Sequence, residues 1–426
     1  MKLQRRFPTY FRTGTMAVGL AALALSGCAS NRPTAGTGMP AAPGPAATQG
    51  AEASAASAPA VVRGAGGSAV APGSAAAAGS EVAPGPAPAG AAQAAPAPPA
   101  AARAKDAFIA EMAGRGLDPV EVAAVLEQAR YSGTVARLVL PPASPTVRSW
   151  PRYRARFVES RRIREGIAFQ QEYAPVLAQA EARYGVPASI IVSIIGVETF
   201  YGRVTGNFRV IDALTTLAFD YPAGARSDRG PFFREQLAHF LTWCKETGTD
   251  PLTVKGSYAG AIGLPQFMPG SLRQFAVDGD GDGRIDLLAS PSDAIVSVAN
   301  FLVEHGWQRG QPVFLPVHLP GEPAALVDGG LKPTLNWSQL EAAGARARPV
   351  ADLPESWTGW PLGVIDLYDG ATGNTEYRVA APNFFALTEY NRSYFYATSV
   401  ADLAQELERR TRMAGNMSQL NTPVDR

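Results

Sequence analysis

Residues 190–202 read Ile190-Ile191-Val192-Ser193-Ile194-Ile195-Gly196-Val197-Glu198-Thr199-Phe200-Tyr201-Gly202. A carboxylate stands near the end of an almost wholly apolar run. As a helix, the run places Ile190, Ile194 and Glu198 on one face at i, i+4 spacing. A glutamate on a core-facing line loses solvation, which raises its pKa and favours the neutral acid. A neutral carboxylic acid at physiological pH can donate a proton. The same residue is equally consistent with a structural ion pair to Arg203 or Arg209, since such pairs also perturb carboxylates. Taken by itself, the run leaves both readings open.

Working outward, Pro187 is suited to the first turn of this helix. The stretch 164–184 reads as one longer amphipathic helix, with Gly185 in the C-terminal position that favours a left-handed backbone. Residues 153–164 are basic and read as a solvated helical face. Further upstream, Phe108, Ile109 and Met112 mark a first helix. Gly116-Leu117-Asp118-Pro119 stops it and starts a second at 120–129, and the chain is extended around Pro141, Pro142 and Pro145. Downstream, helices are expected at 212–219, 231–246 and 292–305, with a glycine-punctuated loop at 256–270. After Gly310 the texture changes to short strands at 313–319, 363–368 and 375–379 between Gly and Pro residues. A short helix is expected at 338–343, and helix returns at 393–411. The fold class is therefore α+β, mainly α, with a small β-containing insert. The expected boundaries are a helical part at 104–165, a core at 166–311 and 382–413, an insert at 312–381, and a frayed C-terminus at 414–426.

The N-terminus reads as an export signal over residues 1–27. Lys2, Arg5, Arg6 and Arg12 precede a short apolar segment, too short to span a membrane as a mature helix. Leu25-Ser26-Gly27-Cys28 resembles the bacterial lipoprotein cleavage box, which makes Cys28 the expected lipidated first residue. Ala29, where an Asp would favour inner-membrane retention, points to an outer-membrane lipoprotein facing the periplasm of a Gram-negative bacterium. Residues 28–103 are rich in Ala, Pro, Gly and Ser and lack periodic apolar positions. Such a segment cannot offset its ordering entropy and reads as a disordered tether.

Net charge is +1 over 426 residues, so no bulk field implies a nucleic-acid partner. Cys244, the only other cysteine, has no partner once Cys28 is lipidated. His239, His305 and His318 have no metal-ligand spacing, and no P-loop, dinucleotide fingerprint or Gly-x-Ser-x-Gly elbow is present.

Three further stretches offer chemistry. In 256–269, small residues allow close backbone approach, and Ser257 and Gln266 carry hydroxyl and amide groups suited to sugars; a plain tight loop has the same composition. In Asp278-Gly279-Asp280-Gly281-Asp282-Gly283-Arg284-Ile285-Asp286, Asp at positions 1, 3 and 5, Gly at 6 and an aliphatic residue at 8 match an EF-hand loop. Its position-7 carbonyl belongs to Arg284. Position 12 is Ala289 rather than Glu, and Asp293 is the candidate substitute. A bound Ca2+ of structural role would explain the crowding of Asp278, Asp280, Asp282 and Asp286; a solvated acidic turn is the alternative. Finally, 384–396 sets aromatic rings beside Asn391, a common sugar-binding surface that can also be a cap on the core.

Together these stretches resemble the membrane-bound lytic murein transglycosylase B family. The resemblance runs through Ile194-Ile195-Gly196-Val197-Glu198-Thr199, Ser257-x-Ala259-Gly260-Ala261-x-Gly263 with Gln266-Phe267-Met268-Pro269, and the Asp-rich loop. It continues through Val298-Ala299-Asn300, His305-Gly306-Trp307, Pro382-Asn383-Phe384 and Tyr390-Asn391-Arg392-Ser393, in order across about 300 residues. It implies a lysozyme-like core with an added helical domain, a small β domain and a calcium loop. It also implies Glu198 as sole catalytic acid/base, with Ser257, Gln266, Tyr390 and Asn391 along a saccharide groove. Phe301 stands where a tyrosine is expected, which removes a hydroxyl and leaves a weaker sugar contact; Leu264-Pro265 is bulkier than usual.

The implied reaction is cleavage of the β-1,4 bond between N-acetylmuramic acid and N-acetylglucosamine in peptidoglycan, ending in a 1,6-anhydromuramoyl product. Glycosidases usually need two flanking carboxylates, and only one convincing candidate stands in this sequence. A muramidase-type hydrolase and a non-catalytic peptidoglycan-binding lipoprotein are the alternatives.

Overall fold

The computed structural model describes residues 99–141, 147–225, 227–349 and 353–420. The export signal, Cys28, the tether up to residue 98, and Pro142 and Pro145 lie outside the described residues. Helix α1 (Pro99–Gly114) begins inside the stretch expected to be tether. Ala101 is already buried there, and a proline followed by alanines is a good helix start. It leads through α2 (Pro119–Gln128), where Asp118 Oδ1 accepts the Val120 N–H, to the short α3 (Gly133–Leu138).

The basic stretch is two helices, α4 (Trp150–Phe157) and α5 (Ser160–Glu172), separated where Glu159 caps the backbone N–H groups of Arg161 and Arg162. The single long helix expected at 164–184 is likewise two. It breaks at Tyr173, and α6 (Ala174–Tyr184) restarts with Pro175 in its first turn. Pro175 has no N–H to donate back into α5 and its ring would strike the preceding turn, so continuation is excluded. Gly185 closes α6 at φ 70°, in the left-handed region.

Helix α7 (Ala188–Thr199) is the centre of the fold. A helix apolar on all sides has no solvent face and must be surrounded. Accordingly α5, α6, the later α11 (Pro291–Glu304) and the C-terminal α14 (Tyr394–Leu420) pack around it. Ile191, Val192, Ser193, Ile194, Ile195 and Thr199 are fully enclosed. Between α7 and α11 lie α8 (Val210–Phe219), α9 (Gly230–Thr247) and α10 (Pro269–Phe275), a helix the sequence reading did not assign. Two short strands, β1 (Phe208–Arg209) and β2 (Lys255–Gly256), pair antiparallel ahead of α8.

The stretch 313–319 is not one strand. Pro316 divides it into β3 (Phe314–Leu315) and β4 (Val317–His318), which join different sheets. Proline cannot donate to a ladder, so pairing ends on one side of it and resumes elsewhere. After α12 (Trp337–Ala342), β4 pairs with β5 (Arg346–Ala347). Strand β7 (Asn374–Ala380) lies between β3 and β6 (Gly363–Asp369). Strand β6 alternates between two cores. Val364 faces a small cluster with Leu315, Leu340 and Leu362, whereas Ile365 and Leu367 belong to the main core. Helices α13 (Pro382–Tyr390) and α14 complete the chain. Helix α14 runs to Leu420, past the point where fraying was expected and through Gly415.

Candidate active site

Glu198 lies in the last turn of α7, and the chain leaves that turn abruptly. Phe200 and Tyr201 both adopt positive φ, 52° and 59°. Two successive side-chain-bearing residues in this region cost about 1–3 kcal/mol each and persist only where the surroundings hold them. Here the surroundings do. Tyr201 Oη donates to the Arg162 carbonyl at 2.9 Å, and Arg162 turns inward to the Gly196 carbonyl. The Tyr201 ring occupies the space beside Gly196, where an added Cβ would lie 2.6 Å from the hydroxyl oxygen, so position 196 has room only for glycine. On the other side, Thr199 Oγ1 donates to Leu264 O at 2.9 Å and accepts the Gly202 N–H at 3.0 Å.

Glu198 is partly exposed as a residue, and its carboxyl has one hydrogen-bond partner among the described residues. Tyr396 Oη donates to Oε1 at 2.6 Å, leaving Oε2 uncommitted. Neither arginine of the structural alternative reaches it: Arg203 pairs with Glu165 at 2.5 Å and Arg209 with Asp212 at 3.5 Å. With no cation beside it, burial dominates and pushes the Glu198 carboxyl up to about 7, while the Tyr396 hydrogen bond pulls the other way. Among the described residues no charged group contributes. The mirror effect reaches the tyrosines: burial first, then the Glu198 charge, raises Tyr390 and Tyr396 well above the usual phenol range and pushes Tyr153 up to about 12. An acid poised near neutrality, with one free oxygen, can give a proton and take one back.

The expected saccharide contacts divide into two sets. Tyr390 and Asn391 are partly exposed, and the Tyr390 ring stacks with Tyr396 at 6.4 Å between centroids. Tyr390 Oη donates to Pro265 O at 2.6 Å. Gln266 is also partly exposed, at φ 52°, but its Nε2 donates to the carbonyls of Thr205 and Gly263, so the amide nitrogen serves the loop. Ser257 and Phe301 sit behind. Ser257 is 5% exposed and its Oγ accepts the Ala261 N–H; Phe301 is 6% exposed, stacked on His305 and edge-on to Tyr390. Both shape the surface rather than present it. Tyr396 and Tyr153 were missed by sequence reasoning. Tyr396 belongs to the aromatic stretch 384–396, but only the packing of α14 on α7 brings it to Glu198.

The Asp-rich loop gathers Asp278, Asp280 and Asp282, each offering an oxygen within 4.8 Å of the others. Asp293 stands apart from that cluster. It is 1% exposed and its two carboxylate oxygens accept the N–H groups of Gly279 and Asp286, so it ties the two ends of the loop together. Asp286 accepts from Leu288 and Ala289 N–H in the following turn. Leu287, between them, accepts the Leu264 N–H at 2.9 Å. A continuous line of bonds thus runs from the acidic loop through Leu264 to Thr199, the neighbour of Glu198.

Comparison with known proteins agrees with this architecture. The family described as "Transglycosylase SLT domain" matches residues 100–405. The chain is 39% identical over 311 residues to membrane-bound lytic murein transglycosylase B of Escherichia coli (strain K12), a match covering 70% of this chain and 81% of that one. The crystal structure of the soluble lytic transglycosylase SltB1 from Pseudomonas aeruginosa superposes with a TM-score of 0.64 at 40% identity, covering 72% of this chain and 99% of that one. Escherichia coli lytic transglycosylase Slt35 in complex with calcium superposes at 0.62 with 38% identity, covering 72% and 93%. The mainly helical, lysozyme-like fold with its small sheets is that of these enzymes, and the chain belongs to the SLT-domain lytic transglycosylases, lyases that cleave peptidoglycan.

Proposed function

We propose that Glu198 is the single acid/base of this lytic transglycosylase and that the reaction consumes no water. The observation that carries the assignment is its isolation: among the described residues the carboxyl is bonded only to Tyr396, with no ion pair to any cation, and burial pushes it up to about 7. A hydrolytic glycosidase needs a second carboxylate to activate water or to attack. Here the nucleophile comes from the substrate. Protonated Glu198 gives its proton from Oε2 to the glycosidic oxygen, the bond between the muramic acid C1 and that oxygen breaks, and the N-acetylglucosamine leaves as an alcohol. The acetamido carbonyl of the muramic acid supports the developing cation. The Glu198 carboxylate then accepts the proton of the C6 hydroxyl, whose oxygen closes onto C1. Glu198 ends protonated and the product ends in a 1,6-anhydromuramoyl group. Tyr390 and Asn391 are the partly exposed groups that would hold the sugar, with Gln266, also partly exposed, as a third. Mass spectrometry of digested sacculi tests the scheme: every new end is expected to be one water lighter than a reducing end, and reducing ends as the main product would refute it.

The carboxylates of Asp278, Asp280 and Asp282, with the Arg284 carbonyl, fit a hard cation, and Ca2+ is the ion their oxygen chemistry favours. In this reading Asp286 and Asp293 hold the loop's shape rather than the ion. Cys28 is the proposed lipid anchor, and the tether lets the enzyme reach the wall from the outer membrane on the periplasmic side. No single helix among the described residues is long and apolar enough to cross a membrane.

A further inference from the structure

The chain has six tryptophans, and they divide by location. Trp150, Trp243 and Trp307, outside the β-containing insert, are buried. Trp337, Trp357 and Trp360, inside it, are all partly exposed. A solvent-facing indole keeps a large apolar ring in water, so three in one small unit mark a contact surface. The fold gathers them. Leu335 and Leu362 bond each other in both directions, N–H to carbonyl at 2.8 and 2.7 Å, as an antiparallel bridge. Trp337 and Trp360, two residues along from it on either segment, leave it in the same direction. The Trp357 carbonyl accepts the Trp360 N–H at 3.1 Å, and the Trp337 and Trp357 rings meet at 4.7 Å between centroids, with 65° between their planes. Leu340 and Leu362 belong to the small core on which the three pack.

The polar character of the surface selects the partner. Trp150 and Trp307 donate their indole N–H to Glu376 and to the Gly185 carbonyl, whereas those of Trp337, Trp357 and Trp360 find no acceptor among the described residues. The segments that carry them, 333–340 and 353–361, hold one charged residue, Glu355, among neutral groups such as Thr334, Asn336, Ser338 and Gln339. A strongly charged partner meets no complementary field there. A β-linked N-acetylhexosamine chain fits: its C–H-rich ring faces stack on indole, and its hydroxyls and acetamido carbonyls accept the N–H. The surface is also joined to the site. Tyr394 Oη donates to the Gly330 carbonyl, which ties the loop leading to Trp337 to the start of α14, three residues after Asn391 and two before Tyr396. We propose that Trp337, Trp357 and Trp360 form a second glycan-binding surface, outside the cleavage site, that holds the neutral sugar backbone of a long strand. The proposal rests on the transglycosylase reading given above.

Chitohexaose, a β-1,4 chain of N-acetylglucosamine, is the probe, added to the full chain carrying Glu198→Gln so that nothing is cut. Acrylamide quenching of tryptophan emission reads the insert, because the other three indoles are already shielded. The sugar is expected to protect the emission, and no protection overturns the proposal. So does protection by phosphatidylethanolamine vesicles but not by chitohexaose, which would assign the rings to a lipid surface. In the active enzyme, the W337A/W357A pair is expected to raise KM on long denuded strands about tenfold, roughly threefold per ring, with kcat unchanged. Cleavage of a tetrasaccharide is expected to continue as before. An unchanged KM on long strands, or an equal loss on long and short substrates, overturns the proposal; the quenching result needs no alanine variant and stands if that pair does not fold. Failure of the transglycosylase reading looks different, because the unaltered enzyme would then yield no anhydro ends while chitohexaose still protected the insert.

Discussion

Glu198 is held by one oxygen and leaves the other for chemistry, and Tyr396 sets the balance. A hydrogen bond donated to the charged carboxylate favours the charged form, so Tyr396 lowers a proton affinity that burial raises. The first step needs the protonated acid, so the rate is expected to fall as pH rises through about 7. Removing the hydroxyl in Tyr396→Phe removes the stabilisation of the charged form. The alkaline limb of the kcat–pH profile is then expected to move upward by about one unit, and a limb that stays in place or moves downward contradicts this assignment. Glu198 was legible in the sequence as an acid on a buried face because the apolar run and the helical period point the same way. Tyr396 was not, because its bond to Glu198 spans 198 positions and depends on how α14 lies on α7. Ser257 and Phe301 turn out largely buried for a reason the sequence does not show. Residue type announces what a side chain can bond to, but not whether it faces sugar or backbone.

At the level of elements, α7 is fixed at its C-terminal end from two sides, by Arg162 and Tyr201 on one and by Thr199 and Leu264 on the other. The second brace continues through Leu287 into the acidic loop, where Asp278, Asp280 and Asp282 crowd with no ion pair among the described residues. A cation that neutralises the three stabilises the folded state by mass action. Stringent chelation is expected to lower the melting temperature by several degrees and to lower kcat with it, because the Leu264 brace loosens. Calorimetry with and without added calcium reads this, and an unchanged transition would remove the ion from the account. The element pattern was largely legible, since α2, α7, α9 and α11 each announce themselves by proline starts and apolar period. The breaks at Tyr173 and Pro316 were not read, although Pro175 and Pro316 carried the signal: periodicity was allowed to run across residues that cannot donate a hydrogen bond.

At the scale of the whole described chain, an ionic junction centred on Asp402 joins three distant elements. Asp402 of α14, 4% exposed, accepts from Arg154 of α4 at 2.5 Å and from Arg378 of β7 at 2.6 Å, and Arg378 is held further by Glu376. It fastens the sheet and the basic helix to the same long helix that brings Tyr396 to Glu198. Asp402→Ala leaves Arg378 half-compensated in a largely buried place and is expected to cost roughly 3 kcal/mol of stability by urea denaturation; a loss below about 1 kcal/mol, the value of an exposed pair, would show the junction to be dispensable. No local pattern foretells such a three-way contact among residues 154, 378 and 402. The central claim is nonetheless carried by one side chain, and the Glu198→Gln variant tests it most directly. Glutamine keeps the shape and can still accept from Tyr396, but it has no proton to give. The account predicts a folded protein that binds sacculi and releases no anhydromuropeptides; turnover near that of the unaltered enzyme would contradict it.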